Sequence, residues 1–346
     1  MPHRRVSNQA PAECGGDPFR ALPDAVVQHV LGFLPARDAV RTCALARRWR
    51  SLWRSAPRLR ISDVEALRNV WSVWRLYSAL VRLELHGLAL AESFLDFSGC
   101  PVLEYLKITN CVVDASKILS RSLNRLEITG CELRIGDGDT TTYISVPFLV
   151  SLQLDDYVGL TPILENMPLL ETASVKLGHN NEEYCDFCDG DDSGECICSM
   201  AAIYYNANGS RNDVCFLLGG LSNVTCLELK ASSEMIAFKR DLRCCPTFNK
   251  LKILLLSDWC LVADLHELVC FLRCTPVLEK LILHLCKRPK AAVQMGSCNL
   301  TKQSITLRQL KTVKVRCPVI NDSVHNILKL LRSCSTFLDE IIVQEI

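Results

Sequence analysis

The sequence predicts an α/β protein in which short units stack into a curved parallel sheet with helices on its outer side, preceded by a block of three small helices. Two observations lead to this prediction. A six-residue aliphatic pattern recurs along residues 80–346, and a basic, apolar stretch of helical spacing lies at the front of the chain. Period-two alternation is typical of strands, whereas apolar spacing of three and four residues is typical of amphipathic helices.

The recurring pattern is Leu-x-x-Leu-x-Leu, with other aliphatic residues allowed. Nine good copies start at Leu80, Leu103, Leu123, Leu149, Val224, Leu251, Leu278, Leu310 and Leu338. A weaker copy starts at Leu170, and the step of 54 residues from there to Val224 leaves room for a degenerate unit or an insertion near residues 178–223. One such unit cannot bury its apolar side alone, whereas stacked units build a continuous core.

Two further regularities accompany these copies. A cysteine follows eight positions after the copy start at Cys111, Cys131 and Cys286, and prolines lead into several copies, as in "CPVLE", "MPLLE" and "TPVLE". Proline cannot continue a helix and favours extended structure beside it, which suits a change from helix to strand. Residues 80–346 therefore resemble leucine-rich repeats, in which an Asn or Cys turns inward at the strand end. The competing interpretation is a leucine-rich α/β domain without repeats.

The front stretch, "LPDAVVQHVLGFLPARDAVRTCALARRWRSLW", covers residues 22–53. Its proline positions and apolar spacing predict three short helices, ending near residues 35, 44 and 57. Eight arginines lie between Arg37 and Arg60, with Asp38 as the acid among them. Three helices of this size hold few core positions, so the block is expected to lean on its neighbouring domain or to complete its core on a partner.

The front block resembles an F-box of the plant type. The residues that carry the resemblance are Asp17, Phe19, Leu22-Pro23-Asp24, Phe33-Leu34-Pro35, Ala39-Val40-Arg41-Thr42, Arg48-Trp49 and Leu52-Trp53. An F-box followed by irregular leucine-rich repeats is similar to the large plant F-box/leucine-rich-repeat group, and the chain ends in a shorter version of that group's FBD region. This resemblance predicts a tail at 1–16, an F-box at 17–60, a linker or first cap at 61–79 and a repeat domain at 80–346. An acidic, cysteine-rich insertion is expected at about 178–200 and the FBD-like end at about 305–346.

The resemblance implies a non-catalytic receptor. The F-box would bind the Skp-type adaptor, and through it the cullin, of a Skp–cullin–F-box ubiquitin ligase, and the repeats would bind the protein to be ubiquitinated. A few apolar anchors usually dominate such an interface. The expected adaptor contacts are Leu22, Pro23, Val26, Val30, Leu34, Val40, Leu45, Arg48 and Trp49. The alternative for these residues is an internal core role, alone or in addition.

Outward-facing positions on the predicted strands are the candidates for substrate binding. They are Glu104, Lys107, Glu127, Gln153, Asp155, Glu228, Lys230, Glu279 and His284. Ordinary solvation is the alternative for each. The substrate itself, and any need for a small-molecule co-ligand, stay open at this point.

The insertion holds a second unusual stretch, "NNEEYCDFCDGDDSGECICS", with seven acids between Glu182 and Glu195. Cys185, Cys188, Cys196 and Cys198 offer four thiolates, enough for tetrahedral zinc, although the second pair is separated by one residue instead of two. The favoured interpretation is an exposed insertion in which the thiols are incidental, so no metal and no cofactor is predicted.

Other function classes find little support in the sequence. The net charge is +1, no apolar run approaches the ~20 residues of a membrane span, and the start lacks a signal-peptide core. The 20 cysteines are therefore expected to be reduced thiols of a protein in the cytoplasm, the nucleus or both. The arginine cluster lacks aromatic residues spaced for base stacking, which argues against nucleic acid. No catalytic motif is present, and the remaining alternative is a leucine-rich-repeat scaffold or ligand-binding protein with an F-box-like helical cap.

Overall fold

A computed structural model describes residues 21–44, 49–52, 55–62, 79–91, 95–134, 142–159, 161–178, 215–231, 237–260, 265–285, 306–335 and 337–345. Within them the protein is α/β and has one large sheet with few helices. The helices are α1 (Asp24–Leu31), α2 (Ala36–Arg41), α3 (Trp49–Leu52), α4 (Ala237–Asp241), α5 (His266–Arg273) and α6 (Asp322–Cys334).

Eleven parallel strands form the main path of the sheet, and each pairs with the next one of this set along the chain. They are β1 (Arg58–Ile61), β2 (Arg82–His86), β4 (Tyr105–Thr109), β7 (Arg125–Thr129), β10 (Ser151–Gly159), β12 (Thr172–Leu177), β13 (Cys226–Lys230), β14 (Ile253–Ser257), β15 (Lys280–His284), β16 (Thr312–Cys317) and β17 (Glu340–Glu345). The pairing aligns the fourth position of every motif copy, from Leu83 opposite Leu106 to Val313 opposite Ile341.

This register puts the core on one side of the sheet. Leu83, Leu106, Leu126 and Leu254 are fully buried there. Each occupies the same position of its own strand, so they belong to one row across the sheet. Because side chains alternate along a strand, the residues between the leucines face the opposite side, which we call the open face. A strand shifted by one residue would bury its polar residues, so the leucine pattern itself specifies the register.

The first strand, β1, was not predicted. It falls in the segment assigned to the F-box, yet Leu59 and Ile61 pair in register with Leu83 and Leu85. The sequence does contain the signal, since buried Ala56 occupies the first position of the same six-residue pattern. Alanine in place of leucine concealed this copy.

The sequence predicted helices on the outer side of the sheet, but the structure has helices on only part of that side. In residues 89–164 it is built from short strands, which form a row of β3 (Ala89–Ala91), β5 (Val112–Asp114) and β8 (Glu132–Arg134) and a second row of β6 (Lys117–Leu119), β9 (Tyr143–Ser145) and β11 (Ile163–Leu164). Helices α4, α5 and α6 lie in the later part of the chain. The copies starting at residues 80–149 are 20–26 residues apart and the later ones 27–32, so the earlier units leave less chain for a helix.

A left-handed turn recurs where the early strands of the open face end. Gly87, Asn110 and Gly130 occupy the same position after β2, β4 and β7, with φ of 64°, 51° and 61°. Glycine and asparagine adopt this conformation at low cost. The turn places Cys111 and Cys131 in the core, where their sulfurs lie 3.3 and 3.4 Å from the carbonyl oxygens of Thr109 and Thr129. These two cysteines turn inward as predicted, and Cys286 lies outside the described residues.

A buried carboxylate organises the start of the later part. Asp241, at the end of α4, is fully buried and accepts hydrogen bonds from the backbone N–H groups of Leu217 (2.7 Å) and Leu218 (3.0 Å). Arg240 donates to its other oxygen at 3.0 Å. These hydrogen bonds connect Leu217 and Leu218, at the end of the 54-residue step in the repeat pattern, to α4.

The last described elements follow one another as strand, helix and strand, namely β16, α6 and β17. Asn321 caps α6 because its side-chain oxygen accepts from the Val324 N–H at 3.1 Å. Every cysteine whose side chain is described is a free thiol. In the described part of the chain, no helix combines the length and apolar character that a membrane crossing requires.

Candidate protein-binding surfaces

Helix α1 carries two apolar stripes, one residue apart in sequence and therefore about 100° apart around the helix axis. Val27 and Leu31 are buried in the core of the chain, whereas Val26 and Val30 are 43% and 47% exposed. Phe33, just after the helix, is 58% exposed and continues the second stripe at a spacing of three residues. We call Val26, Val30 and Phe33 the exposed stripe. Apolar side chains aligned in this way and open to solvent are typical of an interaction surface.

The rest of the front block supports α1 and connects it to the sheet. Trp49 and Leu52 of α3 are buried, and the Gln28 side chain donates to the Ser55 hydroxyl at 2.8 Å. Pro35 forms an isolated parallel bridge with Arg60 of β1. Helix α2 and Pro35 therefore contact the first strand, and the exposed stripe is left in solvent.

The expected adaptor contacts occupy different environments. Pro23, Val26 and Val30 are exposed, whereas Leu22, Leu34 and Val40 are half-buried against the core. Trp49 is buried within the block, so its side chain supports the helices instead of lining their surface. Leu45 and Arg48 lie outside the described residues. Phe33 was not among the expected contacts, although its exposure continues the spacing of Val26 and Val30.

Phe33 lies at the junction between the front block and the sheet. Its ring meets His29 edge-on at 5.0 Å, and the Arg58 guanidinium lies 5.8 Å from the ring centre. Gly32, Phe33, Arg58, Arg60, Arg82 and Glu84 line a shallow cavity there. The exposed stripe thus continues into the open face of the sheet.

On β1, β2, β4 and β7 the open face is a network of paired charged side chains, which we call the charged ladder. Glu84 bonds Arg60 at 2.9 Å and Arg82 at 2.8 Å, and Glu127 pairs with Lys107 at 3.3 Å and Arg125 at 2.8 Å. The Arg82 guanidinium also stacks 3.9 Å above the ring centre of Tyr105, on the neighbouring strand. Charges opposite one another on adjacent strands stabilise the pairing when their signs alternate.

The two carboxylates of the charged ladder are held in their ionised form. Burial raises the pKa of the Glu127 carboxyl, but hydrogen bonds from Tyr105, Arg125 and Lys107 outweigh this effect and leave the pKa below its usual range. The same balance lowers the pKa of Glu84, with Arg82 and Arg60 as donors. Burial and the bond to Glu127 raise the pKa of Tyr105 to about 12. The carboxylates of Glu84 and Glu127 thus find their hydrogen-bond donors within the charged ladder itself.

On β14 to β17 the open face has a different composition. Ile253 is 38% exposed, Leu255 and Ile282 are half-buried, and the register places Leu255 directly opposite Ile282. We call these three residues the aliphatic patch. Lys280, Lys314 and Arg316 flank it on β15 and β16, and we call them the cationic border.

Most of the proposed substrate contacts fall on this face. Lys107, Glu127, Gln153 and Glu228 share one row across the sheet, and Asp155, Lys230 and His284 share the next row towards the strand ends. Glu104 and Glu279 instead precede β4 and β15. Several of these groups are engaged within the chain. Glu127 is buried, Asp155 accepts from Lys176 at 3.0 Å, and Glu279 pairs with Lys252 at 3.2 Å.

The four candidate zinc ligands, Cys185, Cys188, Cys196 and Cys198, lie outside the described residues. Across the described ranges, no group of three or more His, Cys, Asp or Glu side chains is arranged to hold a metal ion.

Comparison with known proteins identifies the front block. Residues 19–61 match the F-box domain. The chain carries an F-box. An F-box/FBD/LRR-repeat protein of Arabidopsis thaliana is 24% identical across 81% of this chain and 79% of its own length. Together with the relatives below, it supports a plant F-box/LRR family with an FBD-associated region, and the resemblance predicted from the sequence is confirmed.

Two further relatives from Arabidopsis thaliana match shorter parts. A putative FBD-associated F-box protein is 29% identical over 41% of this chain, and an FBD-associated F-box protein is 35% identical over 25% of it. The matched regions span 42% and 15% of those two relatives. This chain thus spans less than half of the length of these two, and most of the F-box/FBD/LRR-repeat protein.

Proposed function

We propose that this protein is the substrate-recognition subunit of a Skp–cullin–F-box ubiquitin ligase. Its F-box, at about residues 17–60, binds the Skp-type adaptor and through it a cullin. The sheet behind it is the strand side of a leucine-rich-repeat solenoid, at about residues 80–346, and its open face binds the protein to be ubiquitinated. The subunit positions that target in the cytoplasm, the nucleus or both, without a catalytic centre or cofactor of its own.

The exposed stripe is the observation that carries this proposal. The F-box buries one apolar side of α1 in its own chain and leaves Val26, Val30 and Phe33 in solvent. Full burial of a Val or Phe side chain is worth roughly 1.5–3 kcal/mol, so covering these three residues provides the central energy of a stable interface. Exposed Pro23 and half-buried Leu22 extend the same surface.

The alternative is a repeat scaffold whose front helices only cap the sheet. The contact of α2 with β1 and the Pro35–Arg60 bridge favour a capping role. These capping contacts come from α2 and Pro35, whereas the exposed stripe begins on α1, so both roles can operate in one molecule. The distinction depends on whether the exposed stripe binds a partner.

Co-expression with a plant Skp-type adaptor tests the proposal. We expect the wild-type chain to co-purify with the adaptor and a Val26→Asp/Val30→Asp variant to lose it, since two carboxylates would enter an apolar interface. The matched control is Val102→Asp/Val319→Asp, which changes two valines that are 41% and 40% exposed elsewhere on the chain. Both variants should keep the wild-type circular dichroism spectrum.

The results separate the two hypotheses. Loss of the adaptor in the α1 variant alone supports the receptor. Adaptor binding that survives Val26→Asp/Val30→Asp contradicts the assigned surface, and a wild-type chain that binds none of several Skp-type adaptors leaves the scaffold with an F-box-like cap.

A further inference from the structure

The aliphatic patch is not a requirement of the fold. The middle row of the open face carries Glu84, Lys107 and Glu127 on β2, β4 and β7, and it carries Leu255 and Ile282 on β14 and β15. Both sets occupy the position that directly follows the fourth, buried residue of the repeat pattern. A polar residue would therefore fit the register equally well at 255 and 282, and Ile253 adds a third aliphatic side chain two residues along β14.

The cationic border also differs from the charged ladder in its ion pairs. In the described part of the chain, Lys280, Lys314 and Arg316 form no ion pair, whereas Arg60, Arg82, Lys107 and Arg125 all pair with Glu84 or Glu127. The acid on the open face of β15 to β17 is Glu340, which lies opposite Thr312 on the last strand. Three cations against one acid leave a net positive surface beside the aliphatic patch.

We propose that the aliphatic patch and the cationic border together bind an acidic, apolar segment of the target protein. This inference rests on the proposed function and names the class of sequence that the receptor recognises. Apolar side chains of the segment cover Ile253, Leu255 and Ile282, and its carboxylates bond the three cations. Lys314 and Arg316 are two residues apart on β16, about 7 Å, the distance between alternate side chains of an extended segment.

The chemistry of the surface favours protein over nucleic acid. Single-stranded nucleic acid binds through aromatic side chains on which bases stack, combined with cations that follow the backbone. The outward positions of β14 to β17 supply cations and aliphatic residues, with His284 as the one ring among them. Aliphatic anchors beside charges are instead the pattern of a peptide-binding surface.

Selection of random phage-displayed peptides on the chain bound to its Skp-type adaptor tests the inference. We expect enriched peptides that combine Asp or Glu with Leu, Ile, Val or Phe. A synthetic copy of an enriched peptide should bind at least about tenfold more weakly to Lys314→Glu/Arg316→Glu, because two attractive contacts become repulsive. Ile253→Ser should weaken the same peptide without changing any charge.

The matched control is Lys329→Glu/Arg332→Glu on the exposed side of α6. It makes the same change of charge, on a Lys and an Arg that are exposed, and should leave peptide affinity unchanged. Enrichment of basic or uncharged peptides, no enrichment at all, or equal loss in both double variants would overturn the inference. So would single-stranded RNA that binds through Lys314 and Arg316 in place of any acidic peptide.

Retention of the adaptor is measured on the same samples, which keeps the two proposals distinct. A complex that holds the adaptor but selects no acidic, apolar peptide refutes the proposed peptide-binding surface. It leaves the proposed role as a substrate receptor intact. If the chain holds no adaptor, the receptor fails, and selection on the chain alone still decides whether the surface binds peptides.

Discussion

The two ends of the open face share one backbone arrangement and differ in what their side chains do. The charged ladder on β1, β2, β4 and β7 pairs almost all of its charges internally, and its carboxylate Glu127 is buried. The aliphatic patch and cationic border on β14 to β16 leave Ile253 exposed and three cations without ion pairs among the described residues. Side chains that satisfy one another stabilise the fold, whereas side chains left unsatisfied are available to a partner.

The later part of the chain does contain a satisfied buried charge, but it lies away from the open face. Asp241 receives its donors from residues 217, 218 and 240 on the core side. The two regions therefore place their stabilising polar contacts differently. Substitutions should affect stability at the charged ladder and at Asp241, and should affect binding at the aliphatic patch and cationic border.

Asp241→Ala is expected to have the largest effect. It would remove the acceptor of two backbone N–H groups and the ion pair of the largely buried Arg240 with Asp241, at a cost of about 3 kcal/mol in the free energy of unfolding. Urea unfolding of the adaptor-bound chain measures this change. The exposed Asp114→Ala is the control, and equal urea midpoints for the two variants would contradict the organising role of Asp241.

Glu127→Ala should have the next largest effect, a loss of about 2 kcal/mol in the free energy of unfolding. The carboxylate is buried, but its partners Lys107 and Arg125 are partly exposed and can turn to water, so the loss is smaller than at a fully enclosed pair. Glu132→Ala, which removes an ion pair with Arg134 in solvent, is the matched control and should not move the urea midpoint. A Glu127→Ala midpoint equal to the control would mean that the ladder adds nothing to stability.

The charged ladder should also make stability sensitive to acid. The pKa values of Glu84 and Glu127 are lowered in the folded protein, so their contribution is complete above the unfolded-state pKa of about 4.3 and is lost as the pH falls through the folded values. Urea midpoints between about pH 7 and about pH 3 measure this loss. A Glu84→Gln/Glu127→Gln variant should show a shallower decline than the wild type, and parallel curves would contradict the assignment.

The sequence predicted the main sheet well because the positions of the buried leucines determine how neighbouring strands pair. Copies starting at Leu80, Leu103 and Leu123 became adjacent strands with their fourth positions aligned. The strand at 58–61 was missed because Ala56 replaces the first leucine of its copy, and helices were expected over 89–164 where units of 20–26 residues hold short strands instead.

The binding surfaces were less predictable, because exposure depends on how elements face one another. Val26 and Val27 are adjacent valines, and only the packing of α1 on the rest of the chain shows that one is in solvent and the other buried. On the sheet, Glu127 was identified as an outward position, but its pairing with Lys107 depends on a neighbouring strand that lies about 20 residues earlier in the sequence. The aliphatic patch was missed for a different reason: the candidates chosen at outward positions were all polar, whereas Leu255 and Ile282 occupy the same outward position as Glu228.

The smallest expected effect on stability is that of Lys314→Gln/Arg316→Gln. Neither side chain has an ion pair to lose within the described residues, so the free energy of unfolding should change by no more than about 0.5 kcal/mol. A larger loss of stability would show that these cations belong to the fold, as Arg82 and Arg125 do, and would remove the contrast between the two ends of the open face. Unchanged stability together with weakened binding of a selected acidic peptide would place the two cations in recognition, because only an interaction made outside the chain can be lost without cost to the chain itself.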